Sequence, residues 1–236
     1  MNQPPIGNTR VYAIGDIHGR LDLLERAIAA IGRDSDEMGG DALTITLGDY
    51  IDRGPASRGV IERLAADPFP TPYIALKGNH ETLLEAFLGN PAGGEHWRQL
   101  GGLQTLHSYG VPVGDLLLGK NYADAAARLR EALPARHLEF LQGLKTSHTH
   151  GRYFFCHAGV RPGVALAQQS DDDLMWIRDE FLSSRMDFGR IVVHGHTPVD
   201  APDVRPNRIS IDTGAFATGR LTCIVLEESS HRFLEI

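Results

Sequence analysis

Short apolar runs that stop at a glycine and a polar side chain recur along this chain. Val11-Tyr12-Ala13-Ile14 stops at Gly15-Asp16, Leu43-Thr44-Ile45-Thr46-Leu47 at Gly48-Asp49, and Tyr73-Ile74-Ala75-Leu76 just before Gly78-Asn79-His80. Runs of this length and composition predict buried strands. After the first, Arg20 to Arg33 carries Leu21, Leu24, Ile28 and Ile31 at helical spacing, with Gly32 near its end, which predicts an amphipathic helix covering a sheet. Val60, Ile61 and Leu64 share one face of a second helix, and the prolines between Asp67 and Pro72 predict a loop. Strand, loop and helix in repeated succession predict βαβ units, an α/β class and a largely parallel sheet.

From Glu81 to Lys145 the strand pattern disappears. Thr82–Leu88, Tyr122–Leu133 and His137–Leu144 have helical periodicity, and Pro91-Ala92-Gly93-Gly94 interrupts it. The stretch of about 81–147 is therefore expected to be a helical insertion in a single domain spanning 1–236. Tyr153-Phe154-Phe155-Cys156 and Ile191-Val192-Val193 predict that the sheet resumes. Arg208–Ile211, Leu221–Leu226 and His231–Ile236 predict three strands of a second, partly antiparallel sheet, with turns at Thr213-Gly214 and Thr218-Gly219.

Composition narrows the function classes. With 23 basic against 30 acidic side chains, the net charge of −7 argues against a protein that coats nucleic acid, which needs a basic face. A 42% hydrophobic and 22% charged composition excludes a disordered chain. No apolar run reaches the length of a membrane span. The start, Met1-Asn2-Gln3-Pro4-Pro5, lacks the features of a signal peptide, and Cys156 and Cys223 cannot make a disulfide framework, so a reducing cytoplasm is expected. The 11 histidines direct attention to metal binding.

Five strand ends deliver side chains suited to holding metal ions. They bring Asp16 and His18, Asp49 and Asp52, Asn79 and His80, His157, and His194 with His196. The carboxyl ends of strands form the ligand crevice of α/β sheets, where residues distant in sequence converge. Gly15, Gly48, Gly78 and Gly195 stand directly before candidate ligands and permit close backbone approach. Asp16 and His18 share a face in extended geometry, Asp49 has two oxygens with which to bridge, and Asn79 offers a neutral carbonyl. Nitrogen and oxygen donors without cysteine suit two divalent ions, Mn, Fe or Zn, and a two-metal centre of this type activates water and clamps phosphoryl oxygens.

Gly15-Asp16-Ile17-His18-Gly19, Gly48-Asp49-Tyr50-Ile51-Asp52-Arg53-Gly54 and Gly78-Asn79-His80-Glu81 resemble the three signature blocks of the PPP-type metallophosphatases, the serine/threonine protein phosphatases with their bacterial and phage-lambda-type relatives. The resemblance runs from Val11 to about Cys223. It implies a sandwich of two mixed β-sheets packed face to face and flanked by helices. It further implies that Asp16, His18 and Asp49 hold one ion, manganese in the first instance, and that Asp49, Asn79, His157 and His196 hold a second. His80 would protonate the leaving oxygen, oriented by Asp52, and Arg53, Arg178 and Asn79 would bind the phosphoryl group. The implied substrate is a phosphorylated protein or peptide, with no nucleic acid, membrane or obligate partner. A symmetrical diadenosine-tetraphosphate hydrolase is the rival, disfavoured by Asp52 and Glu81. Ala158 after His157, Lys77 before Gly78 and Pro198 after Thr197 depart from the wider pattern, the last favouring the protein-phosphatase branch.

Other residues receive plainer readings. His194 is expected to pack or support rather than ligate, and His148-x-His150 to lie in a solvated turn. His96, His107, His137 and His231 are expected on the surface or on helices. Asp171-Asp172-Asp173 lacks the spacing of a calcium loop and is expected to cap a helix. Cys156 reads as a small buried hydrophobe. Trp97 and Tyr109 are the aromatics available to stack on a nucleobase.

Overall fold

The computed structural model describes residues 9–228 and 230–236, so the lead Met1–Pro5 lies outside the described residues. Its strands are β1 (Arg10–Ile14), β2 (Ala42–Thr46), β3 (Tyr73–Ala75), β4 (Ser147–His150), β5 (Tyr153–Cys156), β6 (Ile191–His194), β7 (Asp203–Val204), β8 (Arg208–Ser210), β9 (Cys223–Leu226) and β10 (His231–Leu234). They form two five-stranded sheets, ordered β10-β9-β1-β2-β3 and β4-β5-β6-β8-β7. In the first sheet β1, β2 and β3 pair in parallel and β9 and β10 add antiparallel pairings on the β1 side, while in the second β5, β6 and β8 pair in parallel and the edge strands β4 and β7 pair antiparallel. Both sheets are mixed.

Alternation along each strand builds the sandwich. Val11, Ala13 and Ile45 of the first sheet meet Tyr153, Phe155, Val193 and Ile209 of the second in one buried cluster. From the same β1 strand, Tyr12 and Ile14 point to the opposite face, into a core shared with the helices α1 (Leu21–Met38), α2 (Ser57–Leu64) and α3 (Asn79–Gly89). Further along, α4 (Gly94–Trp97), a π-helical turn at Arg98–Gly102, α5 (Leu103–Ser108), α6 (Gly114–Leu117), α7 (Tyr122–Ala132) and α8 (Ala135–Gln142) add Trp97, Leu106, Leu129 and Leu141 to that core. On the outer face of the second sheet, Phe154, Cys156 and Val192 are covered by Leu174 of α9 (Asp171–Trp176) and Phe181 of α10 (Asp179–Leu182). The short α11 (Ala215–Thr218) precedes β9.

Several expectations need correction. The three tail strands do not share a sheet: β9 adds antiparallel to β1 and β10 antiparallel to β9 in the first sheet, while β8 pairs with β6 in the second. Likewise β5 and β6 do not resume the first sheet but found the second. His148 and His150 lie on an edge strand, β4, with rings stacked 6.3 Å apart, rather than in a turn. One face of an edge strand can remain polar, which hides its period. Gly32 does not end α1, which continues to Met38 and stops at Gly39, whose φ is 58°. An isolated glycine costs a helix only about 1 kcal/mol.

Candidate metal centre

Loops after β1, β2, β3, β5 and β6 converge, and hydrogen bonds between their backbones lace them together. Ile17 and His18 both donate their N–H to Asp49 O (3.1 and 2.8 Å), Gly19 donates to Tyr50 O (2.9 Å), and Gly195 donates to His157 O (2.8 Å). Two glycines are required by these approaches. A Cβ on Gly78 would lie 2.1 Å from Asp49 Oδ1, and one on Gly195 would lie 2.0 Å from Asp16 Oδ1. Left-handed backbone is concentrated here too: His18, Asp49, Asp52, Arg53 and His196 have φ between 44° and 70°. Non-glycine residues held this way cost about 1–3 kcal/mol each and persist where surrounding structure over-determines them.

The Asp49 carboxylate sits between two rings supplied by opposite sheets. His18 Nδ1 donates to Ile51 O at 2.8 Å, which turns Nε2 toward Asp49 Oδ2 at 3.4 Å. His157 Nδ1 donates to Leu47 O at 2.9 Å, which turns Nε2 toward Asp49 Oδ1, also at 3.4 Å. Each ring is thus tied through one nitrogen to a backbone carbonyl beside Asp49 and presents the other, the usual way of fixing a ligating tautomer. Asn79 Oδ1 lies 2.9 Å from both His157 Nε2 and His196 Nδ1, and those two nitrogens are 3.2 Å apart. Among the described residues, metal-ligand atoms consequently gather in two buried groups that share one carboxylate: His18, Asp49 and His80, and Asp49, His157 and His196. Asp16 belongs to neither group; its two oxygens accept the His196 backbone N–H at 3.2 and 3.1 Å.

Electrostatics suit cations at this point. Burial and the neighbouring Asp212 and Asp49 carboxylates push the Asp16 carboxyl well above its ordinary value. Burial and Asp49 push Glu81 up to about 7, and burial with Asp49 pushes Asp212 to about 6. Asp49 itself is held low: burial opposes its charge, but His157, His80 and His18 outweigh it. Burial drives the His18 ring to about 3 and, with His157 beside it, the His196 ring to about 2, so both are neutral donors at pH 7. His196 Nε2 is buried without a hydrogen-bond partner among the described residues. Crowded carboxylates, neutral imidazoles and an asparagine oxygen fit a pair of divalent ions. Two donor groups on one bridging carboxylate make a dinuclear site.

Beside this centre stands a second arrangement. His80 Nδ1 bonds Asp52 Oδ2 at 2.7 Å, and His80 Nε2 lies 3.8 Å from Asp49 Oδ2 and 3.2 Å from Arg53 Nη2. Burial disfavours charge on His80, yet Asp49 and Asp52 hold its pKa above the ordinary value. Arg53 is half-buried, its guanidinium 4.9 Å over the Phe216 ring. Burial chiefly depresses His157 and His196, and the charge of exposed Arg178 adds to the effect.

Sequence reasoning quotes Glu81 in the third block without giving it a role in the site, and misses Asp212. Glu81 is fully buried and accepts the backbone N–H of Asp49 (2.9 Å), Tyr50 (2.8 Å) and Gly78 (2.9 Å), tying the second loop to the third. Its place at the third position of α3 is the available signal, since an acid there reaches back to backbone donors. Asp212 follows β8 as the other carboxylates follow their strands, a sixth strand end that the pattern presents only as the approach to a turn. His194 is buried, its Nδ1 near Gly195 O at 3.1 Å and its ring edge-on to Phe181 at 5.0 Å, outside both donor groups. Ser170 caps α9 by accepting the Asp173 N–H at 3.1 Å, and the aspartates form the helix's first turn. His137 is on α8 but fully buried between Tyr109 and Glu62. Trp97 and Tyr109 are 2% and 4% exposed, so neither can stack on a base.

Comparison with known proteins agrees with the geometry. The calcineurin-like phosphoesterase family profile matches residues 9–224. A serine/threonine-protein phosphatase 2 of Escherichia coli K12 is 27% identical over 222 residues, covering 90% of each chain. An asymmetrical bis(5'-nucleosyl)-tetraphosphatase of Anoxybacillus flavithermus is 25% identical, covering 89% of this chain and 88% of its own. The crystal structure of a candidate diadenosine tetraphosphatase superposes with a TM-score of 0.66 at 20% identity, covering 99% of this chain and 98% of that one. The two mixed sheets, the shared carboxylate and the family match lead to one assignment: the chain belongs to the calcineurin-like phosphoesterase family and is a metallophosphoesterase, a hydrolase.

Proposed function

We propose that this hydrolase removes phosphoryl groups from phosphoserine and phosphothreonine in proteins or peptides, with two manganese ions at the Asp49 centre. The observation that carries the reading is the shared Asp49 carboxylate flanked by the His80–Asp52 pair and Arg53. Asp16, His18 and Asp49 would hold one ion, and Asp49, Asn79, His157 and His196 the other. Bound divalent ions acidify water and neutralise phosphoryl charge. Arg53 and Arg178 grip the non-bridging oxygens, a role for which the guanidinium fork is suited. Asn79 adds a side-chain amide to the same pocket. Arg53 Nη2, a donor only, lies 3.2 Å from His80 Nε2, so a phosphoryl group gripped by Arg53 sits beside that nitrogen and draws the guanidinium off it, leaving Nε2 to carry the proton. His80 holds the proton at Nε2 and delivers it to that oxygen, while Asp52 fixes the ring through Nδ1.

The named activity of the Escherichia coli relative supports a protein substrate. A dinucleotide tetraphosphate is the second reading, favoured by the Anoxybacillus relative. Burial of Trp97 and Tyr109 weakens it, because those rings are not available to two adenines. The deciding experiment measures kcat/KM for phosphoserine and phosphothreonine peptides and for diadenosine tetraphosphate, with one manganese-loaded preparation. A peptide preference is expected. A dinucleotide preference would overturn the substrate assignment, and its products, two ADP or AMP with ATP, would distinguish symmetrical from asymmetrical cleavage.

A further inference from the structure

Asp52 is fully buried at the floor of the site, and its carboxylate receives more than the His80 ring. Oδ2 accepts from His80 Nδ1 at 2.7 Å and from Trp97 Nε1 at 2.7 Å, while Oδ1 accepts from Thr105 Oγ1 at 2.5 Å. The Thr105 hydroxyl also accepts the Asp52 backbone N–H at 2.9 Å, so one side chain closes on both the main chain and the carboxylate of the same residue. Ser57 Oγ shares that N–H at 3.0 Å and lies 3.1 Å from Thr105 Oγ1. These partners come from far away in sequence: Trp97 ends α4 and Thr105 lies on α5.

The surroundings are shaped for this contact. The Trp97 ring lies 4.8 Å from the Phe87 ring, and a Cβ on Gly102 would fall 2.5 Å from the indole. Indole nitrogen is a donor only, so its single hydrogen bond has one possible use here. The same turn also holds the neighbouring residue, since Arg53 donates its N–H to Gly101 O at 3.2 Å. A carboxylate that met His80 alone would be free to turn about its Cβ–Cγ bond. With Thr105 on one oxygen and Trp97 on the other, its plane is fixed, and the remaining Oδ2 lone pair faces Nδ1.

We propose that Trp97 and Thr105 are positioning residues for hydrolysis: they lock the Asp52 carboxylate so that it aims His80 Nε2 at the leaving oxygen. This rests on the reading of His80 as proton donor. The helical stretch after α3 thereby completes the chemistry of the strand-end loops and is more than a cover over them. Neither residue touches substrate; both act through Asp52.

The test compares the wild type with Trp97→Phe, Thr105→Val, Thr105→Ser and His80→Asn, all manganese-loaded, on phenyl phosphate and p-nitrophenyl phosphate. Phenolate is the poorer leaving group and needs the proton more. Trp97→Phe and Thr105→Val should lower kcat on phenyl phosphate by about 10-fold or more, as misoriented outer partners do, and on p-nitrophenyl phosphate by clearly less, with KM and metal content unchanged. Thr105→Ser, which keeps the hydroxyl, should retain most of the turnover. A second readout needs no catalysis and is taken on the same proteins loaded with diamagnetic zinc: the downfield proton resonance of His80 Nδ1–H should shift or broaden in Trp97→Phe and Thr105→Val and stay in place in Thr105→Ser. Equal losses on both esters, a loss confined to KM, or an unmoved resonance would overturn the proposal. If His80→Asn is selective for phenyl phosphate and the Trp97 and Thr105 variants are not, the positioning role alone fails; if His80→Asn shows no selectivity, the proton-donor reading fails with it.

Discussion

Asp49 and Asp52 stand three residues apart on one loop, both buried and both with positive φ (52° and 70°), yet their surroundings differ completely. Asp49 is faced by His18, His157 and His80, whose ring nitrogens lie 3.4 to 3.8 Å away, rings brought by loops of both sheets. Asp52 is faced by one ring and by donors from the helical stretch, Trp97 and Thr105. Around Asp49, His18 and His157 each present a bare Nε2 lone pair, their Nδ1 protons being taken by backbone carbonyls, whereas each side chain against the Asp52 carboxylate presents a hydrogen. Lone pairs call for a cation; hydrogens fix a geometry. On the proposed reading, what the rest of the chain places against them separates two carboxylates of the same type on the same turn into a metal bridge and a partner that orients the His80 ring.

The largest effect should come from breaking the first environment. Asp49→Asn removes the charge shared by both donor groups, so both ions and nearly all turnover should be lost, whereas Asp16→Asn should chiefly empty one site. Metal analysis after gel filtration, with activity on p-nitrophenyl phosphate, reads both. Two tightly held ions in Asp49→Asn would break the bridge assignment. Breaking the second environment should do something different in kind. His80→Asn should keep its ions and slow phosphopeptide turnover by roughly 10²–10⁴-fold, the worth of a positioned proton donor. Loss of metal in that variant would mean that His80, which lies within the first donor group, is a ligand rather than an acid.

The two environments are unequally legible in the sequence. Asp16, His18, Asp49, Asn79, His157 and His196 can be found because each follows an apolar run at a strand end, and parallel strands must deliver such ends to one edge. Sheet membership cannot be found this way. Period-two alternation shows that residues 223–226 form a strand, but not that Ile224 pairs with distant Ala13 on one side as well as with Phe233 of the neighbouring tail strand on the other. The polar edge strand β4 carries no apolar face to reveal it. For Asp52 the deficit is greater. Trp97 and Thr105 lie in a stretch broken by glycines and a π-helical turn, where no period aligns them, and they meet Asp52 from 45 and 53 residues away. Long-range hydrogen bonds between single side chains leave no pattern along the chain.

A smaller effect should follow from loosening the joint between loops. Glu81 accepts three backbone N–H groups, from Asp49, Tyr50 and Gly78, and so holds the bridging carboxylate in register with Asn79. Glu81→Gln keeps the size but offers one acceptor oxygen in place of two and sets an amide hydrogen against a backbone donor. Metal affinity should fall about 10–100-fold, as for other outer partners of ligating groups, and turnover should recover at high manganese. A manganese titration of activity separates the cases. A loss that excess metal leaves uncorrected would place Glu81 in the chemistry itself and blur the division between the two carboxylates.

The smallest expected effect concerns Arg53, which belongs to neither environment and is aimed by an aromatic face. Phe216 is 38% exposed, an unusual state for a large apolar side chain next to a polar centre, and the Arg53 guanidinium lies 4.9 Å above its ring. The ring is itself held in place: Arg20 Nη1 donates to Ala215 O at 2.7 Å, and His18 meets Phe216 edge-on at 5.5 Å. A cation over an aromatic face at a partly exposed site is worth about 0.5–1 kcal/mol. Phe216→Leu keeps apolar bulk without the quadrupole, so Arg53 should be less well placed for the phosphoryl oxygens. KM for p-nitrophenyl phosphate should rise about 2–5-fold, the ratio that this energy corresponds to, while kcat and metal content should hold. Measuring KM and kcat separately at saturating manganese checks this. A fall in kcat comparable with that of His80→Asn, with KM unmoved, would show that Phe216 acts on the proton donor across Arg53, and that the Asp52 environment reaches further toward solvent than the three donors on its carboxylate.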